Sequence, residues 1–165
     1  MRVPIRKPGK YAEIKPDRHI TQAKFAELQA KLARLLASRP AAIEEVQKYA
    51  FEGDFSENAP YQIAKGRLRS INQKILEIEE ALRQAEIIKN NGPKDRVELG
   101  SSVTVEINKQ IKSYRILGSA ETDPRSGIIS YRSPFGAALM GHSSGELIKI
   151  RINNKEIICR IIKIE

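Results

Sequence analysis

The apolar positions change rhythm once along the chain, from a helical repeat to a strand repeat. Phe25, Leu28, Leu32, Leu35 and Leu36 recur every three or four residues, and the stripe resumes at Ile43, Val46 and Ala50. Such spacing lines one face of a helix. Thr21 is the N-cap candidate, because its hydroxyl can accept one of the orphan backbone N–H groups of the first turn. Pro40 has no N–H for the ladder, so a kink is expected there, or a restart capped by Ser38; Gly53 is the expected stop. The second segment is more regular. Tyr61, Ala64, Leu68, Ile71, Ile75, Ile78, Leu82 and Ala85 alternate spacings of three and four, an a/d seam. Asn58 or Ala59 would cap it, and Pro60 suits a first turn, where a missing N–H costs nothing. Two such helices joined by a short turn must pack antiparallel to bury their stripes. At about 1.5 Å per residue, some 30 residues each predict a rod of roughly 45 Å.

The run NNGPKD at residues 90–95 breaks this pattern, and the apolar period then falls to two. RVEL, SVTVEI, KSYRIL, GIISY, ELIKIRI and EIICRIIKI read as strands rich in β-branched residues, with PFGAALMG as a short helix among them. The predicted fold is α+β: a long antiparallel coiled-coil hairpin followed by a small antiparallel sheet domain with one short helix. The expected divisions are an arm at residues 1–19, the hairpin at 20–90 with an acidic tip at 53–60, a linker at 91–95 and the sheet domain at 96–165. Pro4, Pro8, Gly9 and Pro16 among six basic residues make the arm an extended segment, serving solubility or tethering phosphate.

Charge adds one hint. The net charge is +9, and the excess is shared, 17 basic against 12 acidic residues up to position 93 and 12 against 8 beyond it. A polyanion nearby follows, but no single nucleic-acid-reading module. No run is long and apolar enough for a membrane span, and the basic start lacks a secretory core, so a cytoplasmic monomer is expected. Cys159 is alone, and His19 and His142 are the two histidines, so no set has zinc-ligand spacing. Within EIICRIIKI, Cys159 reads as a small buried hydrophobe.

The chemistry-bearing stretch is GDFSENAPY, residues 53–61. Asp54 and Glu57 fall between the two helices, so they either cap the second helix or face solvent at the apex of the rod. Tyr49, Phe51, Phe55 and Tyr61 concentrate aromatics around them in a chain with few. Two carboxylates are a partial Mg²⁺ ligand set, which phosphates, waters or further carboxylates must complete. Such a tip is not a self-sufficient catalytic site; it can complete a two-metal site held elsewhere.

GDFSENAPYQIAKGRLRSINQKILEIEEAL resembles the tip and second helix of the Gre transcript-cleavage factors of bacterial RNA polymerase, the GreA/GreB type. The basic KGRLRSI at residues 65–71 is more similar to the GreB branch. ITQAKFAEL, Arg39–Pro40, VELGSSVTVEI, YRILGSAETD and YRSPFGAALMGHSSGEL extend the likeness over residues 20–165. The resemblance implies an FKBP-like C-terminal domain and a factor that is not itself an enzyme. Its finger would enter the secondary channel of a backtracked polymerase, where Asp54 and Glu57 help bind the second Mg²⁺ so that the polymerase cuts its own RNA. It further implies that Lys65, Arg67, Arg69 and Lys74 guide the RNA 3′ segment, unless they merely solvate the helix. Ser133, Pro134, Ala138, Leu139 and Gly141 would grip the channel rim or hold the loop that does. Pro60 replaces a usual third acid and Ala137 a common basic residue. Two other readings remain open at this point: a channel regulator without cleavage activity, and a prolyl isomerase or chaperone, which would need an aromatic-lined pocket in the second domain.

Overall fold

The computed structural model describes residues 17–51, 58–89, 95–152 and 155–165. Helix α1 (Gln22–Phe51) and helix α2 (Ala59–Gln84) form the hairpin. The second seam is buried as predicted: Ala64, Ile75 and Ile78 are buried, and Tyr61, Leu68, Ile71 and Leu82 half-buried. On α1 the partners are Phe25, Leu28, Leu32, Leu35, Ala42, Val46 and Tyr49, again spaced by threes and fours across Arg39. Thirty residues give α1 a length of about 45 Å.

Pro40 does not interrupt α1, contrary to expectation. Its missing N–H deprives only the Leu36 carbonyl, and both residues are exposed, so water can take that place. Ser38 is not a cap either; its hydroxyl donates back to the Leu35 carbonyl at 2.9 Å. Thr21 does cap α1, accepting from the Lys24 N–H at 3.1 Å.

The second domain is a five-stranded sheet in the order β5-β4-β3-β7-β6, formed by β3 (Ser102–Ile107), β4 (Gln110–Leu117), β5 (Ile128–Ser130), β6 (Leu147–Ile152) and β7 (Lys155–Ile164). Three pairings are antiparallel, but β4 and β5 run parallel, so the sheet is mixed rather than purely antiparallel. The chain leaves Leu117, makes short 3-10 turns at Ser119–Glu121 and Pro124–Ser126, and comes back to lie beside Arg115, so that β5 runs along the last three residues of β4. Asn108 and Lys109, at φ 51° and 63°, make the two-residue turn between β3 and β4 that the strand twist favours. RVEL contributes only an isolated bridge, Arg96 to Ser143. Helix α3 (Pro134–Leu139) covers one face, where Val97, Val103, Val105, Ile116, Leu139, Ile148, Ile150, Cys159 and Ile161 form the core. Burial pushes the Cys159 thiol up, so it stays protonated and inert, as a buried hydrophobe should.

A junction that no periodicity announced ties hairpin to sheet domain. Strand β1 (His19–Ile20) pairs in parallel with β2 (Glu86–Ile87), closing the base of the hairpin. Asp17 accepts the Ser119 N–H at 2.6 Å, the His19 N–H at 3.2 Å and the Tyr131 hydroxyl at 3.2 Å. Burial by itself would raise its pKa, but these donors and the His19 ring hold it down at about 2. Glu121 accepts from the Thr21 N–H at 2.6 Å and from its hydroxyl at 2.7 Å. Gly118 packs so tightly that a Cβ there would overlap the His19 carbonyl oxygen. The arm expected at residues 1–19 therefore ends sooner: positions 17–19 belong to the junction, and the rest lies outside the described residues.

Candidate functional site

The far end of the hairpin is held by one side chain. Asn58 accepts the Tyr61 N–H at 3.0 Å, which caps α2, and its amide donates to the Tyr49 carbonyl at 2.7 Å, near the end of α1. One residue thus satisfies an orphan donor of one helix and an orphan acceptor of the other. Pro60 sits in the first turn of α2, where its fixed φ starts a helix without distorting it. The six residues between Phe51 and Asn58 include Asp54 and Glu57, both outside the described residues. In sequence they fall between the last residue of α1 and the cap of α2, two positions at the end of the hairpin opposite β1 and β2. Phe51 at their edge is 91% exposed and Ile63, one turn into α2, is 72% exposed.

Lys65, Arg67, Arg69 and Lys74 are all exposed, but they do not form one patch. At 100° per residue, Lys65 and Arg69 share one flank of the buried seam while Arg67 and Lys74 share the other. Lys65 lies 5.6 Å from the Tyr61 ring centroid, a cation–π contact that draws it toward the tip. Arg67 is paired across the hairpin with Glu45 at 3.3 Å. A strand of phosphates following the rod would meet two of these cations at a time.

The loop before α3 is built by its own residues. The Ser133 hydroxyl accepts the Gly136 N–H at 3.0 Å and donates to the Ser130 carbonyl at 2.7 Å. Pro134 occupies the first turn and is exposed. Leu139 is fully buried and Ala138 packs beside it on the core, so neither presents its side chain outward. Gly141, at φ 79°, turns the chain out of α3, and its N–H donates to Val97 at 2.8 Å. These five residues shape the loop, and Pro134 and Gly141 form its exposed part. Arg132, which the sequence reading passed over, adds a cation beside Pro134: its Nε donates to the Tyr131 hydroxyl at 2.9 Å, an interaction that raises its pKa. The only signal for it in the sequence is its place next to Ser133.

Among the described residues, depressions also lie elsewhere. One, of about 220 Å³, is at the junction between Leu28, Ile20, Ala81 and Ala120. Another is on the sheet, around Leu147 and Ile158. Neither has an aromatic wall. No group of three or more His, Cys, Asp or Glu side chains is placed to hold a metal among the described residues, and no described helix is long and apolar enough to cross a membrane.

Comparison with known proteins matches both parts of the chain, in order. Residues 18–87 match the family model described as "Transcription elongation factor, N-terminal", and residues 92–165 that described as "Transcription elongation factor, GreA/GreB, C-term". Transcription elongation factor GreA of Thermomicrobium roseum is 40% identical over 129 residues, 77% of this chain and 83% of its own. That of Macrococcus caseolyticus is 36% identical over 156 residues, 92% of this chain and 99% of its own. A solved structure, the GreA factor homolog 1 (Gfh1) protein of Thermus thermophilus, is 24% identical over 89% of this chain and 97% of its own, with a TM-score of 0.41. Both relatives are named GreA, so they give the leaning toward GreB no support. With both halves matched and identity above a third across nearly the whole length, the chain belongs to the GreA/GreB family of transcription elongation factors.

Proposed function

We propose that this factor inserts the far end of its hairpin into the secondary channel of a backtracked bacterial RNA polymerase and stimulates cleavage of the RNA there. The polymerase supplies the catalytic centre, and the factor is not itself an enzyme. The observation that carries this reading is a rod of about 45 Å at whose far end Asn58 ties the two helices together, with Asp54 and Glu57 in the stretch of sequence between them. A seam this narrow encloses nothing; its geometry suits reaching. The two carboxylates fit a divalent ion as a partial oxygen set, and nothing among the described residues completes it. Mg²⁺, shared with the polymerase, would supply charge neutralisation at the scissile phosphate and a more acidic water.

The chain's own part is positional. Asn58 ties the end of α1 to the start of α2, fixing the two helix ends between which Asp54 and Glu57 fall in the sequence. Lys65 and Arg69 on one flank, Arg67 and Lys74 on the other, attract the phosphates of the extruded RNA 3′ segment. The α3 loop, with Pro134, Gly141 and Arg132 exposed, contacts the outer rim while Ser133, Ala138 and Leu139 hold its shape. The work is expected in the cytoplasm and by a monomer.

The test is a purified backtracked polymerase complex with Mg²⁺. Adding the factor should accelerate release of a short RNA 3′ fragment, and Asp54→Asn or Glu57→Gln should abolish the gain. Equal cleavage with wild type and both variants would remove the tip from the mechanism.

A further inference from the structure

The base of the hairpin carries negative charge on a basic protein. Glu77, Glu79, Glu80 and Glu86 are all exposed there, with Arg83 as the one base between the first and the last of them. The first half of α2 has the opposite sign, with Lys65, Arg67, Arg69 and Lys74. Beside the acidic half lies the depression of about 220 Å³ at the junction. Its apolar lining comes from three parts of the fold: Ile20 and Leu28 from β1 and α1, Ala81 from α2, and Ala120 from the turn that follows β4. Glu77 and Glu80 flank it. An apolar cavity of about 150 Å³ holds a benzene-sized group, so a branched aliphatic side chain fits here.

The chain itself supplies a matching occupant. Asp17 and Arg18 also line the depression, and Asp17 is the first described residue, so the sixteen residues before it join the fold at its edge. Those residues hold five bases, Arg2, Arg6, Lys7, Lys10 and Lys15, against one acid, Glu13. Pro16 biases Lys15 toward an extended backbone. Ile14, three positions before Asp17, therefore stays within about 10 Å of it. A segment tethered this closely is present at an effective concentration on the order of millimolar, so a weak contact suffices to seat it. A second copy or a separate partner must compete with that tether. Phosphates and acidic segments are repelled by Glu77 and Glu80.

We propose that the arm folds back on the base of the hairpin, seating Ile14 between Leu28, Ala81 and Ala120, with Lys10 and Lys15 against Glu77 and Glu80. Because these lining residues belong to α1, α2 and the sheet domain, the seated arm bridges the two parts of the molecule. It reinforces the ties that Asp17 and Glu121 make across the same junction. The arm is then a strap on its own protein and not a free tether for phosphate.

The experiment attaches a nitroxide to the full chain carrying Ala12→Cys and reads the broadening of backbone amide signals by NMR. Cys159 is fully buried and its thiol stays protonated, so the label goes to position 12. Signals of Ala81 and Ala120 should broaden beyond detection, while that of Val46, roughly 35 Å along α1, stays sharp. Ile14→Asp should restore both signals, and so should Glu77→Lys with Glu80→Lys. Unshifted signals from Val103 and Ile161, in the core of the sheet domain, report that these variants fold. Broadening that survives either change overturns the inference. Sharp signals at Ala81 and Ala120 in the labelled protein overturn it too, and an arm that then titrates onto added single-stranded RNA is a phosphate tether. A mixture of labelled chain with unlabelled, isotope-enriched chain completes the test: broadening at Ala81 and Ala120 of the enriched copy means that the arm crosses to a second molecule, which also overturns the inference.

Discussion

Asp17→Asn keeps the shape of the side chain while removing its charge and one of two acceptor oxygens. In the native protein one carboxylate oxygen takes the Ser119 N–H and the other takes the His19 N–H and the Tyr131 hydroxyl. The side chain is only 3% exposed, so solvent screens these bonds little. A carboxyl held at about 2 instead of its ordinary 3.8 stabilises the fold by about 2 kcal/mol, at about 1.4 kcal/mol per pH unit of displacement. The sign follows from the direction. The folded protein holds the proton less tightly than the unfolded chain, so the contribution is complete above the unfolded value and is lost as pH falls toward the folded one. Urea unfolding followed by circular dichroism should show the variant less stable by about 2 kcal/mol at pH 7, with the deficit shrinking to about half near pH 3. Amide exchange at Ser119 should quicken in the variant at neutral pH. A deficit that is absent at pH 7, or the same at pH 3 and pH 7, would refute the assignment of Asp17 as the charged clasp between hairpin and sheet domain.

Other substitutions probe the remaining parts. Asn58→Ala removes both the cap of α2 and the tie to Tyr49, and thermal unfolding should register a loss of about 1–2 kcal/mol. Gly136→Ala drives a Cβ into the Ser130 carbonyl oxygen, so the melting temperature should fall by at least about 5 °C; an unchanged value would mean that α3 is not seated as described. Arg67→Ala breaks an exposed pair with Glu45 and should cost no more than about 0.5 kcal/mol, so any larger loss of RNA cleavage in that variant reports on RNA contact and not on folding.

The contrast between hairpin and junction says what was legible. The seam from Tyr61 to Ala85, the caps at Thr21 and Asn58, and five strands of the sheet are set by residues within a turn or two of one another, so their signals lie in adjacent letters. Pro40 misled because a proline signals a missing donor, and only the folded helix shows that the orphaned Leu36 carbonyl faces water. The parallel pairing of β4 with β5 was hidden as well, because strand periodicity carries no direction.

By itself the sequence determined the helical rod, the sheet domain behind it, the two carboxylates between the helices and the family to which both halves belong. The tertiary structure alone decided that Asp17 meets Ser119 and Thr21 meets Glu121, pairs about a hundred positions apart. It also split the four cations of α2 onto two flanks and brought Leu28, Ala81 and Ala120 around one depression. The physical reason is common to all three. Periodicity and capping act over a few residues, whereas a junction or a surface is made by side chains whose proximity exists only once the chain has closed on itself.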